Sequence, residues 1–224
     1  MHDIEVKKEI LAGNSEIATE NREVFQGKGI YVLNLMSGPG AGKTTLLQET
    51  IKRAGERFRI AVIEGDITST TDRDRILATG ARAIQIETMG ACHLDALLIH
   101  NHLHQIDLDS IDCLIIENVG NLVCPAEFDL GEDDKVMILS VTEGDDKPRK
   151  YPVMFHNARA MIVSKTDLLP FVDFNMEKAV KDARRLNFDL EVFALSAKTG
   201  DGMDKWVEWL AGRIGKCRSY TGAR

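Results

Sequence analysis

The sequence predicts an α/β fold in which helices cover both faces of a mostly parallel sheet, giving a three-layer sandwich. Short, continuously apolar runs rich in Val, Ile and Leu alternate along the chain with segments of helical periodicity. Strands of a parallel sheet are buried on both faces, so they read as continuous apolar runs. The length of 224 residues, with 44% hydrophobic and 28% charged residues, suits one domain with a sizeable core.

An amphipathic helix over residues 4–25 precedes the first predicted strand. Its apolar residues recur near one face with Glu and Lys between them, and two glycines, Gly27 and Gly29, end the pattern. We therefore expect residues 1–27 to form a helical arm that lies on this chain or on another protein. Residues 28–224 are expected to form the main domain.

The remaining elements alternate between strand and helix, and no internal repeat or linker interrupts them. The predicted strands are residues 30–36, 59–63, 83–86, 111–116, 135–141, 160–163 and 191–195. The predicted helices that lie between or after them are residues 44–54, 71–79, 92–106, 176–186 and 202–214.

The overall charge and the cysteine pattern exclude several classes of protein. A formal net charge of −7 argues against nucleic acid as a partner, because neutralising phosphates needs clustered Lys and Arg. The sequence shows no apolar run long enough to cross a bilayer, and its first residues lack the apolar region of a signal peptide. The four cysteines show no framework spacing. We expect a cytoplasmic protein with reduced thiols and no membrane association.

A glycine-rich turn follows the first strand and opens the next helix. The segment SGPGAGKT fits the P-loop pattern GxxxxGK[ST], except that Ser37 replaces the first glycine. Small residues let such a loop wrap phosphates with its backbone N–H groups, and the helix N-terminus adds its positive dipole end. The chain is therefore predicted to be a P-loop NTPase, in which Lys43 reaches the β- and γ-phosphates and the Thr44 hydroxyl binds Mg²⁺. The predicted nucleotide contacts here are Ser37, Gly38, Gly40, Ala41, Gly42, Lys43, Thr44 and Thr45.

Acidic residues follow two of the predicted strands. Ligands of open parallel sheets bind at the carboxyl ends of strands, and an acid there can hold Mg²⁺ directly or through water. Glu117 is the candidate Walker B acid, with Gly120 placed to sense the γ-phosphate. Asp66 is a candidate for binding Mg²⁺ or for ordering the attacking water, and the alternative for both acids is a solvated strand end. The predicted catalytic residues are Lys43, Thr44, Asp66 and Glu117.

Two further motifs indicate which base the nucleotide site recognises. The segment SKTD at 164–167 resembles the guanine motif NKxD, and SAK at 196–198 resembles the second guanine loop. One carboxylate can accept both the N1–H and the 2-amino group of guanine, whereas adenine would leave a buried Asp167 unpaired. Ser164 in place of Asn is expected to remove a hydrogen bond that braces the loop, which would weaken guanine affinity or selectivity. An ATPase or a nucleotide-tolerant enzyme is the alternative. The predicted base contacts are Lys165, Asp167, Ser196, Ala197 and Lys198.

Three residues could form a transition-metal site near the nucleotide. Cys92 and His93 open the predicted helix at 92–106, and Cys124 lies shortly after the Walker B strand. Thiolate and imidazole suit Zn²⁺, Ni²⁺ or Cu⁺, and three ligands leave the fourth position to water or a partner. Adjacent residues can share a metal only where the helix is not yet regular, and buried structural cysteines are the alternative. A ligand at Cys124 would be linked mechanically to the nucleotide state.

The other histidines and cysteines give weaker signals. Cys113 lies within an apolar run and is predicted to be a core residue, whereas Cys217 near the tail carries no interpretation. His100 and His104 are spaced i, i+4 and could share a helix face, with His102 between them. A solvated helix face is the alternative to a second metal site there.

The motifs taken together resemble the HypB family of hydrogenase nickel-incorporation GTPases. The segments that carry the resemblance are GPGAGKTTLL, IEGD, CHLDA, ENVGNLVCPAEFDLG, TEGDDKPRKYP, SKTD and SAKTG, in this order, over residues 28–214. The resemblance implies a fold similar to that of dimerising P-loop GTPases and a GTP-favoured homodimer. It also implies GTP-driven nickel delivery to the large subunit of [NiFe]-hydrogenase and partnership with the nickel chaperone HypA.

The resemblance also assigns residues. It implies that Cys92, His93 and Cys124 bind nickel or zinc, across a two-fold dimer interface in one arrangement. It places Lys43, Thr44, Asp66 and Glu117 at the nucleotide and Mg²⁺, and Asp167 with residues 196–198 at the base. Lys150 is either a dimer-dependent contact to the partner's nucleotide or a solvated loop lysine.

Two departures and three rival functions accompany this interpretation. SKTD departs from the guanine motif, and the first residues lack the Cys-rich or His-rich nickel-storage stretch of some relatives. We find no Gln or Arg placed as a strong catalytic group, so slow turnover is expected. The rivals are an accessory GTPase for urease or a cobalamin enzyme, a zinc-stabilised regulatory GTP-binding scaffold, and a small-molecule kinase. SKTD and SAK argue against the kinase.

Overall fold

The computed structural model describes residues 2–66, 71–88 and 90–220, and within them it contains one seven-stranded sheet. Every adjacent pair of strands is parallel, and the order is β3-β2-β4-β1-β5-β6-β7. The predicted α/β class is confirmed, and the mostly parallel sheet is entirely parallel over these pairs. The strands are β1 (Tyr31–Ser37), β2 (Ile60–Asp66), β3 (Arg82–Glu87), β4 (Cys113–Glu117), β5 (Asp134–Ser140), β6 (Ala160–Ser164) and β7 (Glu191–Ala194).

Helices precede the sheet and connect its strands. Three short 3₁₀ segments accompany them at Leu103–Gln105, Leu108–Ser110 and Thr166–Phe171. The α-helices of the described residues are α1 (His2–Gly27), α2 (Lys43–Ala54), α3 (Thr71–Leu77), α4 (Ala96–His102), α5 (Cys124–Glu127), α6 (Lys147–Lys150), α7 (Pro152–Asn157), α8 (Met176–Leu186) and α9 (Met203–Tyr220).

The two faces of the sheet bury separate hydrophobic clusters. Side chains of β1 alternate between them: Tyr31 and Leu33 pack with α2, α3 and α9, whereas Val32 packs with α1 and α4. A third cluster joins the second face to α7 and α8. Trp206 of α9, which is 1% exposed, donates its indole N–H to Thr50 Oγ1 of α2 at 2.9 Å. The three-layer sandwich places the carboxyl ends of all strands at one edge of the sheet.

From Asn14 onward, α1 lies on this chain's own domain. Asn14 Oδ1 accepts the N–H of Ala96 at 2.9 Å, and Asn21 Nδ2 donates to the carbonyl of Ala96 at 2.9 Å. Arg22 makes a bidentate ion pair with Asp129 at 2.7 and 2.8 Å. Residues 5, 6 and 8–13 of α1 are mostly exposed. Helix α1 thus contacts the first turn of α4 and the segment before β5.

The predicted helix over residues 92–106 is wrong at its start. α4 begins at Ala96 because Asp95 has extended backbone and its carboxylate accepts the N–H of Leu98 at 2.8 Å, which makes it the N-cap. Cys92 and His93 therefore lie in the irregular loop before the helix. The helix also ends at His102, where a 3₁₀ turn follows.

Other element boundaries differ from the predictions by a few residues. β2 runs on to Asp66 rather than ending at residue 63, and α9 continues to Tyr220 rather than ending at 214. The helices α5, α6 and α7 had no predicted counterpart, because helices of four to six residues are too short to show periodicity. In the residues that the structure describes, no helix has the length and apolar character that crossing a bilayer requires.

Candidate functional site

The glycine-rich loop joins β1 to α2 and forms the phosphate end of the site. Gly42 caps α2 with φ of 95°, a left-handed conformation that favours glycine, and the first N–H groups of α2 lie at the carboxyl edge of the sheet. Lys43 Nζ donates to the buried Ser37 hydroxyl at 3.0 Å. Gly120 packs against the loop so closely that a Cβ there would lie 3.0 Å from Pro39 Cα and 3.5 Å from Lys43 Nζ. The segment after β4 therefore contacts the P-loop directly.

The carboxylate of Glu117 lies beside the P-loop helix. The Thr44 hydroxyl donates to Glu117 Oε1 at 3.2 Å, and Glu117 Oε2 is buried with no hydrogen bond among the described residues. Burial raises the pKa of Glu117 to about 7, while Lys43 and a hydrogen bond from the neighbouring Glu64 carboxyl act in the opposite direction. Hydroxyl and carboxylate oxygens with an unsatisfied buried lone pair fit Mg²⁺.

Glu64 is the acid that sequence reasoning missed at this position. It is 3% exposed and lies opposite Glu117 in the β2–β4 register. The register, which the sequence does not state, is what places two buried carboxyls side by side. The prediction for Asp66 concerns a side chain outside what the structure describes, although its backbone ends β2 next to this pair.

A cavity of about 280 Å³ lies between the P-loop and the ends of β6 and β7. Asp167 lines it and accepts the Ser196 hydroxyl at 2.6 Å, which fixes the orientation of the carboxylate. Lys165 adopts a left-handed backbone and its Nζ donates to the Gly40 carbonyl at 2.6 Å. The residues of the two predicted base motifs that line the cavity are Ser164, Lys165, Asp167, Ser196, Ala197 and Lys198.

The expectation that Ser164 leaves this loop without a brace is wrong. Its hydroxyl is buried and donates to the carbonyl of Ala41 in the P-loop at 2.8 Å. A serine at this position therefore ties the base motif to the phosphate loop, because its short side chain reaches a carbonyl that lies directly beside the end of β6.

Cys92, His93 and Cys124 lie together at the same edge of the sheet. The two sulfurs are 2.9 Å apart, and Cys92 Sγ is 3.6 Å from His93 Nδ1. All three ligand atoms lie within 4.8 Å of one another, so one metal ion could bind them with a fourth position open. The irregular loop before α4 is what lets adjacent residues turn their side chains to one point.

Neighbouring side chains hold the three candidate ligands. The His93 ring lies 3.9 Å from that of Phe128, and burial lowers the pKa of His93, which favours the neutral ring that binds metals. Asn121 Oδ1 accepts the N–H groups of Val123 and Cys124, and its Nδ2 lies 3.7 Å from Cys124 Sγ. Burial raises the pKa of the Cys124 thiol to about 11. Asn121 and Phe128 lie in a segment that carries the family resemblance, but their contacts with the candidate ligands depend on the fold and could not be predicted from the sequence.

The remaining sequence candidates lie apart from these sites. Lys150 is 60% exposed at its side chain and pairs with Asp146 of its own helix at 2.6 Å. Cys113 is fully buried in β4, as predicted, and Cys217 packs at the margin of the core. His100 Nδ1 lies 2.9 Å from Asn21 Oδ1, so this histidine contacts α1.

Comparison with known proteins agrees with the motifs and the fold. A family model described as CobW/HypB/UreG, nucleotide-binding domain, matches residues 31–194. Hydrogenase maturation factor HypB of Azotobacter vinelandii is 52% identical over 207 residues, which cover 92% of this chain and 68% of that protein. The crystal structure of HypB from Helicobacter pylori in complex with nickel is 38% identical, with a TM-score of 0.87 and coverage of 91% of this chain and 96% of that one.

A second solved structure, hydrogenase maturation factor HypB from Archaeoglobus fulgidus, is 39% identical, with a TM-score of 0.86 and coverage of 91% of this chain and 100% of that one. The resemblance drawn from the sequence motifs is confirmed. The chain belongs to the CobW/HypB/UreG family of nucleotide-binding domains and, within it, to the hydrogenase maturation factor HypB group.

Proposed function

We propose that this protein is a GTP-binding and GTP-hydrolysing metallochaperone that delivers nickel during maturation of [NiFe]-hydrogenase. The observation that carries the proposal is that residues 117–124 belong to both candidate sites. Glu117 contacts Thr44 of the P-loop helix, and Cys124 lies in the metal cluster. A nucleotide that rearranges this segment changes the position of a metal ligand. The names of the relatives, hydrogenase maturation factors and a HypB–nickel complex, support the choice of metal and of recipient.

The nucleotide half of the proposal assigns roles to the P-loop and the strand ends. Lys43 and the N-terminus of α2 bind the phosphates, and Asp167 selects guanine through two adjacent donors of the base. Thr44, Glu117 and Asp66 would hold Mg²⁺, which would neutralise charge on the β- and γ-phosphates. We expect hydrolysis to be slow, because the proposed site assigns no Gln to orient the attacking water and no Arg to stabilise charge in the transition state.

In the proposed function, nickel is bound and passed on to another protein rather than kept as a resident cofactor. Cys92, His93 and Cys124 bind Ni²⁺ or Zn²⁺, and their affinity depends on whether GTP or GDP occupies the P-loop. In this scheme residues 1–27 form an arm and residues 28–224 form the GTPase domain, which contains the metal site. The GTP state favours a homodimer, in which Lys150 reaches the partner subunit's nucleotide. The chaperone HypA supplies nickel in the cytoplasm, and the hydrogenase large subunit receives it.

The proposal is tested by equilibrium Ni²⁺ binding with GDP and with a non-hydrolysable GTP analogue, while the oligomeric state is followed. We expect the two dissociation constants to differ by about fivefold or more. Cys124→Ala removes the difference because it removes a ligand on the switching segment. Cys217→Ala, which changes a cysteine outside the cluster, keeps it. Equal affinities in both states would contradict nickel delivery and favour a zinc-stabilised regulatory scaffold.

The hydrolytic part has its own test. Lys43→Ala is expected to reduce release of inorganic phosphate from GTP to the background rate, because the charge on the β- and γ-phosphates loses its partner. Lys52→Ala is the matched control, since Lys52 lies in the same helix with a 64% exposed side chain. Full activity of the Lys43 variant would overturn the phosphate-site assignment.

A further inference from the structure

One buried asparagine links the carboxyl edge of the sheet at the P-loop to the loop that carries Cys92 and His93, here called the metal loop. Asn118 follows Glu117 and is 1% exposed. Its Oδ1 accepts two backbone N–H groups, those of Val119 and Leu94, each at 3.0 Å. A carbonyl oxygen has two lone pairs, so a single atom satisfies one donor from each of two loops. Val119 precedes Gly120 at the P-loop, and Leu94 directly follows the candidate ligand His93.

Leu94 is held from a second direction as well. Its side chain is fully buried and lies against Gly65 near the end of β2, so that a Cβ on Gly65 would be 2.7 Å from Leu94 Cδ1. The strand ends that carry the candidate nucleotide acids, those of β2 and β4, thus both contact this one residue of the metal loop. Because the packing is this close, a shift of either strand end is expected to move Leu94 as well.

The asparagine side chain cannot turn freely, because its amide is itself anchored. Asn118 Nδ2 donates to Asn34 Oδ1 at 3.2 Å, and Asn34 Nδ2 donates to Glu132 Oε1 at 3.2 Å. Asn34 is fully buried in β1, so this network lies in the middle of the sheet. The anchored amide sets which way Oδ1 points, so a rotation of the Asn118–Val119 peptide changes the geometry at the one acceptor that the Leu94 N–H also uses.

We propose that Asn118 is the positioning residue that couples the nucleotide state to the geometry of the Cys92–His93–Cys124 site. When the segment at Gly120 closes on the γ-phosphate, the N–H of Val119 moves relative to Asn118 Oδ1. The shared acceptor then shifts or releases Leu94 and, with it, His93. The inference rests on the proposed nucleotide-dependent metal affinity and identifies the atoms that carry it.

The test measures Ni²⁺ dissociation constants for the full chain by competition with a chromophoric chelator. Each variant is saturated first with GDP and then with a non-hydrolysable GTP analogue, and the readout is the ratio of the two constants. The wild type is expected to show a ratio that differs from one by about 5-fold to 150-fold. Asn118→Ala brings the ratio to within about twofold of one. Asn118→Asp keeps an acceptor oxygen for both N–H groups but loses the anchor to Asn34, so it is expected to retain part of the ratio.

A second pair of variants keeps the test decisive if Asn118→Ala does not fold. Leu94→Ala removes the contact with Gly65 and is expected to reduce the ratio, while Leu103→Ala removes a buried leucine from the same hydrophobic cluster and leaves it unchanged. A wild-type ratio of one would overturn the proposed coupling and this inference together. A clear wild-type ratio that persists in Asn118→Ala or in Leu94→Ala would overturn only the inference.

Discussion

At the scale of single residues, the cavity beside Asp167 shows how a serine can replace the asparagine of the guanine motif and still make a hydrogen bond to the P-loop. Ser164 stands where the guanine motif has Asn, yet its hydroxyl reaches the Ala41 carbonyl at 2.8 Å. Asp167 is oriented by Ser196 at 2.6 Å rather than by its own loop alone. The carboxylate is therefore held in one orientation, as the proposed recognition of the two adjacent guanine donors requires.

Replacing Asp167 tests this assignment of the base. Asp167→Asn is expected to lower GTP affinity by about tenfold or more, because the amide keeps one acceptor oxygen but places its NH₂ donor against one of the two guanine donors. The same change raises affinity for xanthosine triphosphate, whose 2-oxo group accepts the new N–H. Fluorescent-nucleotide competition measures both constants, and Asp173→Asn, an exposed change shortly after the motif, is the control. Unchanged selectivity would exclude Asp167 as the residue that recognises the base.

At the scale of elements, α1 acts as part of the domain rather than as a free arm over its second half. Asn21 donates to the carbonyls of Ala96 and Leu130 at 2.9 and 3.2 Å, and it also contacts His100. Ala96 is the first residue of α4, so α1 fixes the helix start that directly follows the metal loop.

The contribution of α1 can be measured through Asn21. Asn21→Ala leaves two buried carbonyls without their donor, which is expected to lower the free energy of unfolding by about 1–3 kcal/mol. Urea denaturation at neutral pH measures the loss. Thr19→Ala, on the exposed side of the same helix, should change stability by less than about 0.5 kcal/mol. Equal effects of the two variants would mean that α1 contributes no specific contacts to folding.

At the scale of the whole molecule, the two edges of the sheet have different roles. The carboxyl edge holds the P-loop, the cavity beside Asp167 and the cluster of Cys92, His93 and Cys124. The opposite edge holds one ion pair between residues that precede β2 and β4, Arg59 and Asp112, and one between α9 and β5, Arg213 and Asp134. Asp112, just before β4, accepts the backbone N–H of Arg59 at 2.9 Å and its guanidinium at 2.8 and 3.1 Å. These contacts stabilise the β2–β4 pair at the edge opposite the P-loop.

The Arg59–Asp112 pair at this edge makes the free energy of unfolding depend on pH. The hydrogen bonds from Arg59 hold the pKa of Asp112 below its ordinary value of 3.8. Because the folded pKa is below the unfolded one, the stabilisation is present above about pH 4 and is lost as pH falls through the folded value. Asp112→Asn should therefore lower the free energy of unfolding at pH 7 and have less effect near pH 3. Glu208→Gln, in an exposed pair with Arg57, should show no such pH dependence.

Much of the fold and of the nucleotide site could be predicted from the sequence. Seven apolar runs and the turn SGPGAGKT are local patterns, and each is read from consecutive residues. The parallel sheet follows because helical segments separate these runs. The base motifs lie at strand ends for the same reason. Cys92, His93 and Cys124 could be proposed as ligands from residue type and from the position of Cys124 after the Walker B strand.

Only the tertiary structure decided which distant residues meet. The register of β2 against β4 places Glu64 beside Glu117, and the N-cap at Asp95 frees Cys92 and His93 from the helix. The bond from Leu94 to Asn118 likewise joins residues with no shared pattern. Periodicity and short motifs report which faces are buried and which loops bind phosphate. Pairing register and buried hydrogen bonds depend on long-range packing, which the local sequence does not encode.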